Sequence, residues 1–182
     1  MSVKIVILPA AEGEVPLLVQ QISGTKREYE NYLHLQKEGK ATFLVAWEDK
    51  APVGRLLIRW DGSLEIPRIV DRMPIAAKFA GYPSFENIEV RLDRRGRGIG
   101  TALIKYAEQL ARQRKFERAV IEVDIDNPRA RALYERLGYA ELGLGVFTTS
   151  GTYVDDAGHI VEWTNGPQVL LIKKLSENTS KF

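Results

Sequence analysis

The chain has 182 residues, 45% of them hydrophobic and 27% charged, the make-up of one soluble globular domain with a sizeable core. Lys and Arg number 26 against 24 Asp and Glu, a net charge of +2, so the chain as a whole is no polycation and anion binding has to come from local clustering. With no cysteine, disulfides, thiolate metal sites and a cysteine nucleophile are excluded. His34 and His159 are far apart and match no metal spacing, so no metal is expected.

In chain order, Val3–Leu8 reads as a first strand, too short for a signal peptide. No apolar run approaches the ~20 residues of a membrane span, and the expected location is cytoplasmic. A short helical segment is predicted around Val15–Ile22, and a polar helix over Lys26–Lys37 that Gly39 ends. Thr42–Trp47 and Pro52–Trp60, rich in β-branched and aromatic residues and joined by Glu48-Asp49-Lys50, form a hairpin. Asp61–Ser84 is a long excursion punctuated by Pro67, Pro74 and Pro83, with a helical turn at Ile75–Ala80; loops of this length in compact domains are often functional.

Phe85–Leu92 is the fourth strand. From Ile99 the apolar residues recur at three- and four-residue steps (Leu103, Tyr106, Ala107, Leu110), the pattern of an amphipathic helix. Arg118–Asp124 is the fifth strand. Asn127-Pro128 supplies the N-cap and first-turn proline of a further helix with an apolar stripe of Ala130, Leu133, Tyr134 and Leu137, closed by Gly138. Tyr139–Tyr153 and Gln168–Leu175 are two more strands, with a turn at residues 155–158, and residues 176–182 form a loose tail. No repeat or linker divides the chain, so residues 1–175 make one domain.

The densest chemistry lies between the fourth strand and the helix after it. Arg91, Arg94, Arg95 and Arg97 cluster there, and Gly96, Gly98 and Gly100 interleave with them. A strand entering and a helix leaving such a turn point free backbone N–H groups at one spot, where the helix dipole also favours an anion; glycine lets a bulky phosphate approach closely. Taken alone, the turn is equally a Gly-rich loop with solvated arginines. The glycine spacing is not that of the dinucleotide fingerprint, and no Gly-Lys-Ser/Thr of a Walker loop is present.

The segment Arg95-Arg/Gly run resembles the Arg/Gln-x-x-Gly-x-Gly/Ala signature of the GNAT superfamily of N-acetyltransferases, with Val90 five residues before Arg95. Downstream, Asn127 through Tyr139 resembles the family's Asn-x-x-Ala-x-x-Leu-Tyr-x-x-x-Gly-Phe block, so the likeness is close over residues 85–140. It implies an α/β (α+β) fold: a mixed, mostly antiparallel six- to seven-stranded sheet flanked by about four helices and splayed between the fourth and fifth strands. Acetyl-CoA is the implied co-substrate. Its pantetheine arm would add to the backbone of Ile88, Glu89 and Val90, in the manner of β-augmentation. Its pyrophosphate would sit on the N–H groups of Arg95, Gly96, Arg97, Gly98, Ile99, Gly100 and Thr101.

The same resemblance gives Asn127 a contact with the pantetheine, beside its plain reading as a helix N-cap worth ~1 kcal/mol. Tyr134, otherwise a core tyrosine with a satisfied hydroxyl, becomes the proton donor to the departing thiolate and a cofactor contact; a phenol with an ordinary pKa near ~10 is protonated at neutral pH. For the general base, Glu86 and Glu122 stand beside a water chain as alternatives, and each carboxylate could instead be solvated or salt-bridged. Glu86, four residues before Val90, is expected on the same face of its strand.

Expected partners are a small-molecule or peptide amine acceptor, with no nucleic acid and no membrane; a homodimer is kept open. Glu28, Tyr29, Tyr32, Trp60, Tyr82, Asp155 and Asp156 are candidates for the acceptor pocket, acids and aromatics that would suit a cationic amine. Two other readings stand beside the enzyme: a non-catalytic acyl-CoA-binding module, and a nucleic-acid binder using the arginines at 91–97 with Arg112, Arg114, Lys115 and Arg118.

Overall fold

The computed structural model describes residues 4–62, 81–155 and 157–175. Eight strands form one sheet: β1 (Val6–Pro9), β2 (Ala41–Glu48), β3 (Ala51–Arg59), β4 (Ser84–Val90), β5 (Arg118–Asp124), β6 (Ala140–Glu141), β7 (Phe147–Val154) and β8 (Ile160–Lys174). Their order is β1-β2-β3-β4-β5-β8-β6, with β7 also on β8. Among the described residues, four α-helices flank it: α1 (Val15–Gln21), α2 (Lys26–Lys37), α3 (Ile99–Gln113) and α4 (Pro128–Arg136). The mixed, mostly antiparallel sheet with about four helices is the architecture expected from the sequence. No helix among the described residues is long and apolar enough to cross a membrane.

One junction differs from all the others. β4 and β5 are parallel and share a single register pair, Ser84 with Val120, next to the bond from Val120 N–H to the Pro83 carbonyl. β3 and β4 pair over five positions, and β5 and β8 over seven. Beyond Ser84 the two central strands therefore part, and the β5-facing edge of β4 is left without a ladder partner. This is the splay that the resemblance implied.

The helices are legible from local chemistry. Thr25 caps α2 through its Oγ, which accepts from Glu28 N–H (3.1 Å), while the Glu28 carboxylate accepts from Thr25 N–H (3.4 Å), a complete capping box. α3 buries Ile99, Leu103, Ile104, Ala107 and Ala111 against the sheet, the predicted stripe with Ile104 and Ala111 added. α4 ends in a Schellman motif: Gly138, at φ +91°, donates to Glu135 O and Tyr139 N–H donates to Tyr134 O (3.0 Å). α1 and α2 cover the other face, over Phe43, Val45 and Leu57.

Three strand predictions need correction. Gln168–Leu175 is only the second half of β8, which begins at Ile160 and passes through Asn165-Gly166-Pro167 with an irregularity in the β7–β8 register, between Phe147 and Thr149. The single strand expected over Tyr139–Tyr153 is two, β6 and β7, separated around Gly143 and Gly145, both at φ +77°. The first strand begins at Val6 and takes in Pro9. The helical turn at 75–80, most of the excursion before it and the tail at 176–182 lie outside the described residues.

β4 carries a bulge. Leu57 faces Glu86 and Arg55 faces Glu89, so two residues, Asn87 and Ile88, stand opposite the one residue Leu56. Asn87 takes the left-handed conformation (φ +50°), which Asn tolerates better than most residues. The extra residue reverses the alternation of the strand. Glu86 lies with Leu57 on the α1–α2 face, whereas Val90 lies opposite Gly54 on the α3 face. The expectation that Glu86 and Val90 share a face is thus overturned, because a period of two does not survive an inserted residue.

Gly54 is needed where it stands. A Cβ there would meet the Glu89 carbonyl at 2.9 Å and side chains of Leu103 and Ile99 at 3.2 and 3.3 Å, so α3 packs directly on the β3 backbone. Gly54→Ala is expected to destabilise the protein by roughly 1–3 kcal/mol through overpacking, seen as a fall of roughly 2–10 °C in thermal unfolding.

Candidate active site

The turn after β4 is built to receive an anion. Gly96 and Gly98 are both left-handed, at φ +81° and +80°, and nothing lies within 4 Å of where a Cβ would be on either. Gly98 is the N-cap of α3 and makes no side-chain cap hydrogen bond, so the first-turn amides face outward without a side-chain acceptor. Gly100 sits where a Cβ would touch Leu133 (3.4 Å) and Val90 (3.7 Å), which brings α3 close to both α4 and β4.

These residues line a cleft of about 570 Å³ that runs along Ile88, Glu89 and Val90, over Arg95, Gly96, Gly98, Ile99, Gly100 and Thr101, and against Asn127 and Tyr134 of the β5–α4 junction. Of the twelve positions proposed for the cofactor, only Arg97 does not line it; its guanidinium lies 3.8 Å from Glu48. Asn127 caps α4 by accepting from Ala130 N–H (3.1 Å), which leaves its amide NH₂ for a ligand. Sequence reasoning passed over Arg129 and Arg136, which also line the cleft. They are seven residues apart, two turns on one helix face, and that spacing was the available signal.

The other arginines of the run are tied down. Arg91 pairs with Asp93 (2.7 Å), and Arg94 with Glu48 (2.5 Å) and Asp93 (2.8 Å). Arg95 Nε donates to the Val90 carbonyl (3.0 Å), closing the turn on the end of β4.

A second cavity, about 670 Å³, opens on the α2 side of the sheet. Glu28, Asn31 and Tyr32 of α2 form one wall, Glu86 and Glu122 the floor, and Tyr153, Trp163 and Asn165 of the β7–β8 hairpin the far side. Ser84 and Val120 pair, and each carboxylate is two residues further along its parallel strand, so Glu86 and Glu122 face one another where the strands part. The two cavities share Ile88 and Tyr134.

Tyr134 is 6% exposed and lines both cavities. It is held by the α4 terminus, where Tyr139, two residues beyond the cap, packs edge-on against it (centroids 6.4 Å apart). Burial, with a smaller contribution from Asp124, pushes its phenol up to about 12, so it is a proton donor across the physiological range.

Of the acceptor candidates among the described residues, Glu28 and Tyr32 line the second cavity and Tyr29, Trp60, Tyr82 and Asp155 do not. Tyr29 is core, donating to the Ser23 carbonyl. Trp60 stacks on Phe116 and donates to Thr42 (3.0 Å). Tyr82 packs near Arg118, and Asp155 accepts from the backbone of Ala157 and His159 within its own turn. Asp156 lies outside the described residues. Trp163 and Asn165 were missed because the first half of β8 was not recognised as strand.

The chain matches the model of the acetyltransferase (GNAT) family over residues 15–139, and it belongs to that family. Among curated proteins, the streptothricin acetyltransferase of Streptomyces lavendulae is 38% identical over 69 residues, covering 38% of this chain; the match spans about a third (36%) of that relative's length. Among solved structures, an N-acetyltransferase from Staphylococcus aureus Mu50 has a TM-score of 0.66 at 14% identity, covering 95% of this chain and 99% of that one. The ribosomal-protein-S18-alanine N-acetyltransferase of Escherichia coli has 0.62 at 14% identity, over 98% and 99%. The structure of yncA from Salmonella typhimurium, determined with its cofactor acetyl-CoA, has 0.63 at 12% identity, over 98% of each chain. At these identities the solved structures establish a shared fold.

The cradle makes a direct prediction. Gly98→Ala adds only left-handed strain, about 1–2 kcal/mol, whereas Gly98→Asp also aims a carboxylate at the anion site. Calorimetric titration with CoA should give modest weakening for Ala and a loss on the order of 100-fold or more for Asp. Equal weakening by both would place the anion elsewhere.

Proposed function

We propose that the protein is an acetyl-CoA-dependent N-acyltransferase that acetylates a primary amine of a small molecule or peptide by direct attack in a ternary complex. The observation that carries this reading is the meeting of an anion-binding cleft and an acid- and aromatic-lined cavity at Ile88 and Tyr134, through a gap in the sheet. A cofactor-binding module alone has no need of the second cavity. Its carboxylates and the rings of Phe85, Tyr153 and Trp163 suit a cationic amine. The partial relative is named for acetylating streptothricin, which supports a small-molecule acceptor.

The residues fit acetyl-CoA: open left-handed glycines and an uncapped helix terminus for the pyrophosphate, and the unladdered edge of β4 for the pantetheine amides. The co-substrate supplies an activated acyl carbonyl and a thiolate leaving group. Glu86 and Glu122, directly or through water, take the proton from the acceptor ammonium and leave it neutral. Backbone N–H groups between Ile88 and Val90 polarise the carbonyl as the amine nitrogen bonds to its carbon. As the carbon–sulfur bond breaks, Tyr134 gives its phenolic proton to the sulfur, the nitrogen releases its second proton to water as the amide forms, and solvent returns a proton to the phenolate. Glu86 and Glu122 approach the reacting atoms from the second cavity, and Tyr134 from the junction of the two. With no cysteine in the chain, positioning of two reactants in one complex carries most of the rate.

Release of free thiol from acetyl-CoA is to be followed across a panel of diamines, basic amino acids and short peptides. Tyr134→Phe should lower kcat on the order of 10–1,000-fold while CoA affinity stays within about threefold. Because the phenol is raised to about 12, kcat governed by it should hold through pH 10 and fall only as pH approaches that value. An unchanged rate in Tyr134→Phe, or CoA binding with no turnover on any amine, would remove the catalytic reading in favour of a binding module.

A further inference from the structure

Glu28 was expected to anchor the acceptor, yet its oxygens are already engaged. Oε1 accepts from Arg55 (2.9 Å) and from Tyr32 Oη (2.5 Å), and Oε2 accepts from Thr25 N–H (3.4 Å). Arg55 is buried, with 8% of its side chain exposed, and its Nε donates to Glu89 (3.1 Å), which also accepts from Ser23 Oγ (2.5 Å). At the other end, Asn87 Nδ2 donates to Tyr32 Oη (2.6 Å). A single hydrogen-bonded chain therefore runs Ser23–Glu89–Arg55–Glu28–Tyr32–Asn87. Two of its members, Asn87 and Glu89, bracket Ile88, the residue of β4 that both cavities share.

The chain holds a conformation that the strand would not keep by itself. Asn87 is left-handed at the bulge, an arrangement that costs an L residue free energy and needs its surroundings to fix it. The tether comes from a phenol that never ionises near neutral pH: burial, then the charge and hydrogen bond of Glu28, push the Tyr32 hydroxyl well above the ordinary tyrosine range. Arg55 stays charged, its burial outweighed by the acids and phenols around it, led by Glu28. The Tyr32 ring is locked as well, edge-on to Tyr29 and Phe43 (6.3 and 5.2 Å between centroids).

We propose that Tyr32 is a positioning residue: through Asn87 it fixes the bulge of β4, and so the backbone at Ile88 that meets the acyl group, to the helix that walls the acceptor cavity. This rests on the acyl-transfer reading above. Tyr32 acts through Asn87 and does not itself bind the amine. Loss of its hydroxyl therefore shows in turnover and not in substrate affinity, and only while Asn87 is present to be held.

A double-mutant cycle tests it on the full chain. Tyr32→Phe keeps the packed ring and removes only the hydroxyl. Asn87→Gly tolerates the left-handed conformation and removes the tethered side chain. Turnover of acetyl-CoA with the best amine of the panel should fall roughly 10-fold in Tyr32→Phe, with KM for both substrates within about twofold of wild type. In the Asn87→Gly background, itself slowed, the same change should cost less than about twofold, a coupling that general loosening of the core would not produce. Independent, multiplicative losses overturn the proposal, as does a rise confined to the KM for the amine, which would make Tyr32 an acceptor contact. No turnover by the wild type removes the acyl-transfer reading and this inference with it, whereas full wild-type turnover matched by Tyr32→Phe removes only this inference.

Discussion

Everything in this protein that bears on chemistry depends on the parting of β4 and β5 after their one register pair. A sheet normally satisfies every interior N–H and C=O through its neighbours, and a central strand with a bare edge is costly unless something takes the place of the missing ladder. Here the bare edge lies mid-sheet, bounded on one face by α3 and α4 and on the other by α2 and the β7–β8 hairpin. That makes it a slot and not an exposed edge. Both cavities reach the slot, where they share Ile88 and Tyr134.

The slot also divides the charges. The cofactor side presents helix amides, glycines and the cations Arg95, Arg129 and Arg136; the acceptor side presents Glu28, Glu86 and Glu122. A nearly neutral chain thereby gathers arginines along one cavity and three carboxylates, beside Arg27 and Arg59, along the other. Net charge conceals this entirely. Arg91 and Arg94, which looked available in sequence, are used up by Asp93 and Glu48 in fixing the loop, and α4 adds Arg129 and Arg136 to Arg95 along the cleft.

How far the sequence could be read follows the range of the interactions involved. The segment from residue 85 to 140 was legible because its determinants are local: left-handed glycines at 96 and 98, the Asn127 cap, the stripe of α3, and Gly138 ending α4. The acceptor cavity was not, because α2, two mid-sheet strands and the distant half of β8 build it together, and no local pattern marks that convergence. β8 was halved because Asn-Gly-Pro is a turn signal whose local preference is overridden here by pairing with β7. Glu86 was assigned its role from motif position and its face from strand period; the face was wrong because Asn87, an ordinary strand residue on paper, adopts a conformation that only the pairing with β3 reveals.

That error is instructive about the chemistry. Had the alternation run unbroken, Glu86 would face α3 with Val90, among apolar side chains. The bulge moves Glu86 to the α2 face, opposite Glu122, and keeps Ile88 and Val90 against α3. One inserted residue thus puts Glu86 on the same face as Glu122, in the cavity that Tyr134 also lines. The cluster of Arg55, Glu28 and Tyr32 beneath it is then intelligible as more than stabilisation, since buried ion pairs contribute little net free energy by themselves. What such a network can contribute is specificity of conformation. The conformation most in need of specifying in this fold is that of Asn87.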